Sequence, residues 1–390
     1  MNIENKRIAI CCCYEAPYGG NFIKMITALA EFLIQQHLCK VFFVFPMQTK
    51  KKWLEELSKE YTIGYTPQPY KNSSAALLYY FNLWNIDLVY THFENYDIPV
   101  AKAIKKTHRN IKMVWHIHDY MSLDKTGLNF KLIRKIGTNL KLWIHYGWYG
   151  RNAYFIGVSP EVTNFVSHYR THFFSFPPTL SNEELKQKKF PYATVLLNGI
   201  SMDRLQGIYK RPEGMFTFLA YGGESYSKGI PCLFDAAEIL HKKNIPFKII
   251  LTKGYTTQAL LDEKFQNQLP EWLITSEQTE EIISLFNQAH AFISPSLRET
   301  MSMGIAEASI YGLPVIQSDI PGTYWNTDTP STFLFRVNDT QDLARQMEEV
   351  ILFNQKELAD KCHHSSLINR NRLSMSKWCH TVIEIFKELR

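Results

Sequence analysis

Short apolar runs alternate with amphipathic stretches along the chain. Arg7–Cys13 is a run of the strand type, and Asn21–Gln36 follows it with Phe22, Met25, Ile26, Leu29, Phe32 and Leu33 at helical spacing. Lys40–Phe45, Asp87–His92, Lys112–Ile117, Ala153–Val158 and Ala193–Leu197 are further apolar runs, with helical stretches between most of them. Runs this continuous belong to strands buried on both faces, and strand–helix repetition predicts a parallel sheet covered by helices on either side.

The rhythm restarts after residue 206. Phe216–Tyr221, Phe247–Leu251, Ala291–Ser294 and Pro314–Gln317 predict strands; Ile230–His241, Glu280–Asn287, Met303–Tyr311 and Thr340–Phe353 predict helices. The polar segment 208–214, with Pro212 and Gly214, reads as the linker. The expectation is an α/β chain of two doubly wound, Rossmann-like domains, 1–206 and 207–370, followed by a closing helical stretch at 371–390. In such sheets ligands bind beyond the carboxyl ends of the strands, so a cleft between the two domains is the expected site.

Composition narrows the class. Of 390 residues, 45% are hydrophobic and 21% charged, an ordinary globular balance that excludes disorder or a coiled coil as the main state. No apolar run approaches the roughly 18 residues of a membrane span, and the first residues lack a signal-peptide pattern, so a cytoplasmic location is expected. The seven cysteines form no CxxC pair, which argues against a zinc site or a disulfide framework; Cys11, Cys12 and Cys13 read as buried strand residues.

Charge changes the picture more. Residues 1–205 hold 25 Lys+Arg against 15 Asp+Glu, whereas the rest of the chain is net acidic. A basic first half suits an anionic partner: nucleic acid, a phosphate-bearing acceptor or an anionic membrane surface. No helix-turn-helix, RNA-binding or zinc pattern accompanies the charge, so nucleic acid is not expected. Residues 129–151 mix Lys131, Arg134, Lys135, Lys141 and Arg151 with Trp143, Tyr146, Trp148 and Tyr149. That mixture fits peripheral contact with a membrane interface and equally a packed helix with a solvated basic face.

The sharpest chemical pattern runs from Ala291 to Val315. A strand ends at Ser294, a Pro-containing loop leads to Glu299, a helix carries Glu307, and Gly312 and Pro314 end it. Carboxylates accept hydrogen bonds from hydroxyl groups, so each glutamate can grip a sugar. Were the segment helical throughout, eight residues would separate the two by about 12 Å of rise, similar to the sugar-to-ribose distance in a nucleoside diphosphate sugar. The helix start between them can offer N–H groups to a diphosphate.

Here the chain resembles the family-4 glycosyltransferases of the GT-B fold, which carry two glutamates with seven residues between them in this setting and continue, as here with Asp319, Pro321 and Gly322, into a Pro-Gly turn. The resemblance implies that Glu299 contacts the transferred sugar, that Glu307 holds the ribose, and that anomeric configuration is retained. Tyr221–Gly229 is similar to the family's phosphate loop: Lys228 and Gly229 match, with Lys228 placed to neutralise the leaving diphosphate, and the resemblance implies that Gly222 and Gly223 line the donor. Gly223 stands where the family has an arginine. Gly19 and Gly20 match a glycine-rich loop after the first strand, and His118, followed by Asp119, matches a histidine near the donor sugar; His116, two residues earlier on the same face, stays open as an alternative. Thr300, Met301 and Ser302 follow Glu299 where the family has Gly-Phe-Gly and where backbone amides meet the sugar, and Met303, next in the chain, is expected to bind the donor with them. Asn198-Gly199-Ile200-Ser201 and Val158-Ser159 resemble placement markers of the family, and Leu373–Phe386 its closing helix.

The reading is a retaining hexosyltransferase taking its sugar from a nucleoside diphosphate donor, a UDP-sugar by preference. Its acceptor is expected to be a lipid-linked glycan at the inner membrane face, in capsule or other surface-polysaccharide assembly. No carboxylate–His cluster has metal-ligand spacing, so no metal and no cofactor beyond the donor are expected. The alternative is a non-catalytic GT-B subunit that binds sugar nucleotide or a partner glycosyltransferase.

Overall fold

The computed structural model describes all residues except 48–50, 69–71, 120–131, 174, 176, 179, 207–208, 267 and 390, together with the side chains of 132–135, 182 and 186. The chain divides into two compact units, one formed by Met1–Gly199 with Met375–Arg390, the other by Ile200–Ser374. The division falls ahead of the linker read at 208–214, whose first residue lies outside the described residues.

Among the described residues the first unit has a seven-stranded parallel sheet. Its strands are β1 (Arg7–Cys12), β2 (Lys40–Pro46), β3 (Thr62–Thr66), β4 (Leu88–His92), β5 (Lys112–Ile117), β6 (Ala153–Gly157) and β7 (Ala193–Val195), in the order β3-β2-β1-β4-β5-β6-β7. Every residue of β1 after Arg7 is buried, as a strand with helices on both faces requires. Cys11 and Cys12 fill that strand while Cys13, just past its end, is half-buried; all seven cysteines are free thiols. The helix Gly20–His37 buries Ile23, Ile26, Leu29, Ala30 and Leu33, one stripe at helical spacing. Pro160–Thr171 starts where Ser159 accepts from the Val162 amide and Pro160 occupies the first turn.

The helix Met375–Glu388 belongs to this unit. Trp378, Val382, Ile383 and Phe386 join the same core as Ile8, Ile10 and Tyr90, and the Phe386 ring meets Tyr90 edge-on at 5.3 Å. Each such large side chain contributes about 1.5–3 kcal/mol on burial.

The second unit repeats the plan. Its strands β8 (Thr217–Tyr221), β9 (Lys248–Thr252), β10 (Leu273–Ser276), β11 (Ala291–Ser294), β12 (Val315–Ser318) and β13 (Thr332–Phe335) lie in the order β10-β9-β8-β11-β12-β13, all parallel. The pattern reading passes over β3, which carries little continuous apolar signal, and over β10 and β13, whose apolar runs, Trp272–Ile274 and Phe333–Phe335, are three residues long. In each sheet the order reverses beside the first strand, between β1 and β4 and between β8 and β11. Those are the positions at which loops diverge and leave room for a ligand.

Candidate functional site

Two loops leave the carboxyl ends of β8 and β11 at the reversal point of the second sheet: 222–229 and 295–302. The first is a tightly bonded turn. Glu224 accepts from the Ser227 amide at 2.7 Å and Thr256 Oγ1 accepts from the Ser225 amide at 2.7 Å. A Cβ on Gly222 would stand 2.4 Å from the Thr252 carbonyl, and one on Gly229 1.9 Å from that of Pro295, so both positions require glycine. Gly223 has φ +47°, and among the described residues a Cβ there would meet only the Lys228 side chain. The Leu297 amide donates to the Ser227 carbonyl at 2.9 Å, tying the two loops together.

That tie brings together two residues 71 apart in the chain. Lys228 Nζ donates to Glu299 Oε1 at 2.5 Å, and Ser296 Oγ donates to the same oxygen at 2.9 Å. The Glu299 backbone is fixed from behind by Gly322, where a Cβ would lie 1.9 Å from the Glu299 carbonyl oxygen. The Pro-Gly turn of the sequence pattern therefore has a mechanical role: it lets the next turn pack directly on the Glu299 loop.

The helix Met303–Tyr311 begins only after this loop, so the 12 Å rise does not describe the Glu299 half of the segment. Its positive N-terminal end follows Glu299 by four residues. From Gly304 to Tyr311 every residue is buried, and Gly312, at φ +109°, ends the helix in the left-handed conformation. Glu307 is thus a carboxylate inside a helix otherwise buried among apolar neighbours. Arg204, on the turn Met202–Leu205, donates from Nη1 to Glu307 Oε1 at 2.5 Å, the two side chains being 14% and 7% exposed. Burial pushes the Glu307 carboxyl above its ordinary range, and Arg204 pulls it back. The Tyr221 hydroxyl is buried near this pair without a hydrogen-bond partner among the described residues, and its ring abuts Gly304, where a Cβ would lie 3.0 Å away. Met301 and Ser302 are buried, and Thr300 is half-buried.

In the first unit, Gly19 caps the helix after β1 and Gly20 opens it with φ +54°. His92 ends β4 and pairs in register with His116 on β5; His118 follows β5. His92 Nδ1 lies 2.9 Å from His118 Nε2, His116 Nδ1 lies 2.6 Å from the Tyr90 hydroxyl, and the His116 and His118 rings stack at 4.1 Å. Burial holds His92 and His116 well below the usual imidazole range and brings His118 to about 3. His118 is the more exposed of the two strand-end histidines, since His116 is buried. Three ring nitrogens, one from each of His92, His116 and His118, lie within 4.8 Å of one another, the one grouping among the described residues able to hold a metal ion. Nothing in the sequence adds His92 to the other two; the β4–β5 pairing does.

Arg204 and Tyr221 were also beyond sequence reasoning. Arg204 sits three residues past the Asn198–Ser201 marker, and only the fold carries its guanidinium to Glu307. Of the mixed segment 129–151, residues 129–131 and the side chains of 132–135 lie outside the described residues. Beyond them Tyr146 is buried, while Ile136 and Trp148 are exposed. No helix among the described residues is long and apolar enough to cross a membrane.

Residues 216–352 match the family model described as glycosyl transferases group 1, a segment that contains Lys228, Glu299 and Glu307. No curated protein matches the chain. Among solved structures, a glycosyltransferase from Rickettsia africae ESF-5 is 17% identical with a TM-score of 0.72, over 99% of both chains. Anabaena Alr3699/HepE, solved in complex with UDP-glucose, is 15% identical with a TM-score of 0.74, over 98% of this chain and 100% of that one. Sucrose-phosphate synthase from Thermosynechococcus elongatus is 13% identical with a TM-score of 0.73, over 98% and 99%. The two Rossmann-like sheets with their helices match the GT-B glycosyltransferase fold.

Proposed function

We propose that the chain is a retaining glycosyltransferase that moves a hexose-type sugar from a nucleoside diphosphate donor, a UDP-sugar by preference, to a glycan acceptor. The observation that carries this reading is the pairing of Lys228 with Glu299 at the reversal point of the second sheet, one short loop ahead of the helix bearing Glu307. Those residues lie within the segment that matches the glycosyltransferase model. A neighbour of the same fold is solved with UDP-glucose, which supports the donor class.

The roles follow from chemistry. Glu307 gives Oε1 to Arg204 and keeps further lone pairs for the ribose hydroxyls. Glu299 accepts hydroxyl groups of the transferred sugar, and Lys228 passes from it to the departing diphosphate as charge builds there. The positive end of Met303–Tyr311, with the backbone of Thr300, Met301, Ser302 and Met303, faces the same charge. The bond from the anomeric carbon to the diphosphate oxygen breaks; the acceptor oxygen bonds that carbon on the same face, and its proton passes to the departing phosphate. His118 hydrogen-bonds the transferred sugar or acceptor, with Gly19 and Gly20 on the phosphate side. The acceptor is a lipid-linked glycan, and the basic segment 129–151 makes peripheral contact at the inner membrane face.

Thermal shift against UDP-, GDP-, ADP- and CMP-sugars, repeated on Glu307→Ala, tests the donor reading. One donor class raises the melting temperature and loses that effect in the variant. Release of UDP from a shifted donor on addition of an acceptor then separates transfer from mere binding. A second reading, a non-catalytic subunit, draws on Gly223, which leaves one phosphate cation of the family unsupplied; binding without release would favour it.

A further inference from the structure

A second basic site lies in the first unit at the opposite edge of the sheet from Gly19 and His118. Lys112 opens β5 and Arg151 precedes β6, so both stand at the amino ends of their strands. With Lys105, Arg109, Arg170 and Trp148 they line a cavity of about 580 Å³, within the size range of small-molecule sites and larger than a single phosphate needs.

Its charge balance is one-sided. Arg109 has Asp87 at 3.5 Å; among the described residues no carboxylate pairs with Lys105, Lys112, Arg151 or Arg170. The helices Asp97–Lys106 and Pro160–Thr171 end here, and each C-terminus brings roughly half a negative charge. Cations at helix C-termini need no ligand to explain them, but two half charges and one aspartate cannot balance five. About three positive charges are left over. The cations are also positioned. The Arg151 guanidinium stands 5.5 Å from the Trp148 ring centre, Arg170 stands 4.8 Å from that of Tyr192 and donates to the Gly150 carbonyl, and Trp148 is 52% exposed at the rim.

We propose that this cavity binds a ligand bearing a diphosphate or clustered phosphate groups, independently of the donor site in the second unit. It uses five of the cations that make the first half basic, which sugar-nucleotide chemistry on the second unit leaves unused. The ligand is either a soluble phosphorylated molecule or the headgroup of an anionic lipid.

The test uses the full chain, with inorganic pyrophosphate as one probe and phosphatidylcholine vesicles with and without phosphatidic acid as the other. Pyrophosphate titration is followed by the fluorescence of Trp148, taken as the difference from Trp148→Phe, and is repeated in Lys228→Met to keep the donor site out of the signal. Binding to either probe that survives Lys228→Met and weakens at least tenfold in Lys112→Glu/Arg151→Glu supports the site. Pyrophosphate binding without vesicle binding identifies a soluble ligand; vesicle binding that needs phosphatidic acid identifies a headgroup. Binding to neither probe, or an equal loss in the control Lys24→Glu/Lys59→Glu on exposed lysines of the same unit, overturns it.

Discussion

Arg204 and Glu307 form an ion pair at 2.5 Å with both side chains largely out of solvent, 103 residues apart in the chain. A pair this buried is held by mutual need: removing one partner strands the other's charge in apolar surroundings. Arg204→Ala is therefore expected to destabilise the second unit by about 3 kcal/mol. Glu307→Gln added to Arg204→Ala should restore part of that loss, because the stranded charge is gone. Urea unfolding followed by a probe in the second unit measures both, and strict additivity of the two changes would show that the pair is not coupled.

Lys228 is about one-third exposed, so its bond to Glu299 adds little to stability. Lys228→Met should leave the melting temperature nearly unchanged while lowering kcat about a hundredfold with little change in KM. A fall in melting temperature matching that of Arg204→Ala would reassign Lys228 to structure.

Gly223→Arg supplies the missing phosphate cation. The cavity side is open, since a Cβ there meets only the flexible Lys228 chain at 3.4 Å, but the φ of +47° makes any side chain strained by about 1–2 kcal/mol. The variant should fold with slightly reduced stability and bind UDP more tightly than the parent in a calorimetric titration. Unchanged UDP affinity would show that the parent already supplies the second cation from elsewhere.

Gly322→Ala puts a methyl group 1.9 Å from the Glu299 carbonyl, a contact only backbone movement can relieve. Donor affinity should fall at least tenfold although residue 322 carries no functional group. Gly137→Ala is the counterpart: among the described residues its new methyl meets nothing within 4 Å on an interior helical turn, and about 0.5–1 kcal/mol of added stability is expected in thermal unfolding.

Acid should weaken the first unit through its histidines. His92 and His116 stay neutral in the fold, with His118 titrating at about 3, whereas the unfolded chain takes up their protons near 6.5. Stability is then full above pH 6.5 and is lost as pH falls from there toward 3. Each deeply buried ring adds up to about 1.4 kcal/mol per pH unit to that slope; His118, partly exposed, adds less. The half-buried Glu94 and buried Asp97 carboxyls are raised, which acts in the opposite sense at lower pH. The discriminating quantity is the difference between parent and His116→Gln, measured by urea unfolding between pH 7 and 5 in the presence of EDTA. The variant's slope should be shallower.

Both sheets were legible because their central strands are apolar runs with helical stretches between them, from Arg7–Cys12 to Val315–Ser318. The glutamate pair was legible through its setting: a strand, a Pro-containing loop and a helix place Glu299 and Glu307 eight residues apart, the pattern of the family that the chain resembles. What stayed hidden was set by contacts between distant segments. Arg204 gains its meaning only through Glu307, His92 only through strand register with His116, and Gly322 only through the Glu299 carbonyl. Short edge strands such as Thr62–Thr66 were invisible because their side chains are half solvent-exposed and carry no continuous apolar run.

The helix Met375–Glu388 gives the order of events during synthesis a constraint of its own. It completes the core of the first unit, yet the whole second unit, Ile200–Ser374, is translated before it. At about 5–20 residues per second, roughly ten to thirty-five seconds pass between Gly199 and the arrival of Trp378, Val382 and Phe386. Over that interval the nascent first unit displays the apolar groove that these side chains later fill, while the second unit is free to fold as it emerges. The chain thus finishes its first-made half last, and that half is where a chaperone, or an aggregate, would take hold.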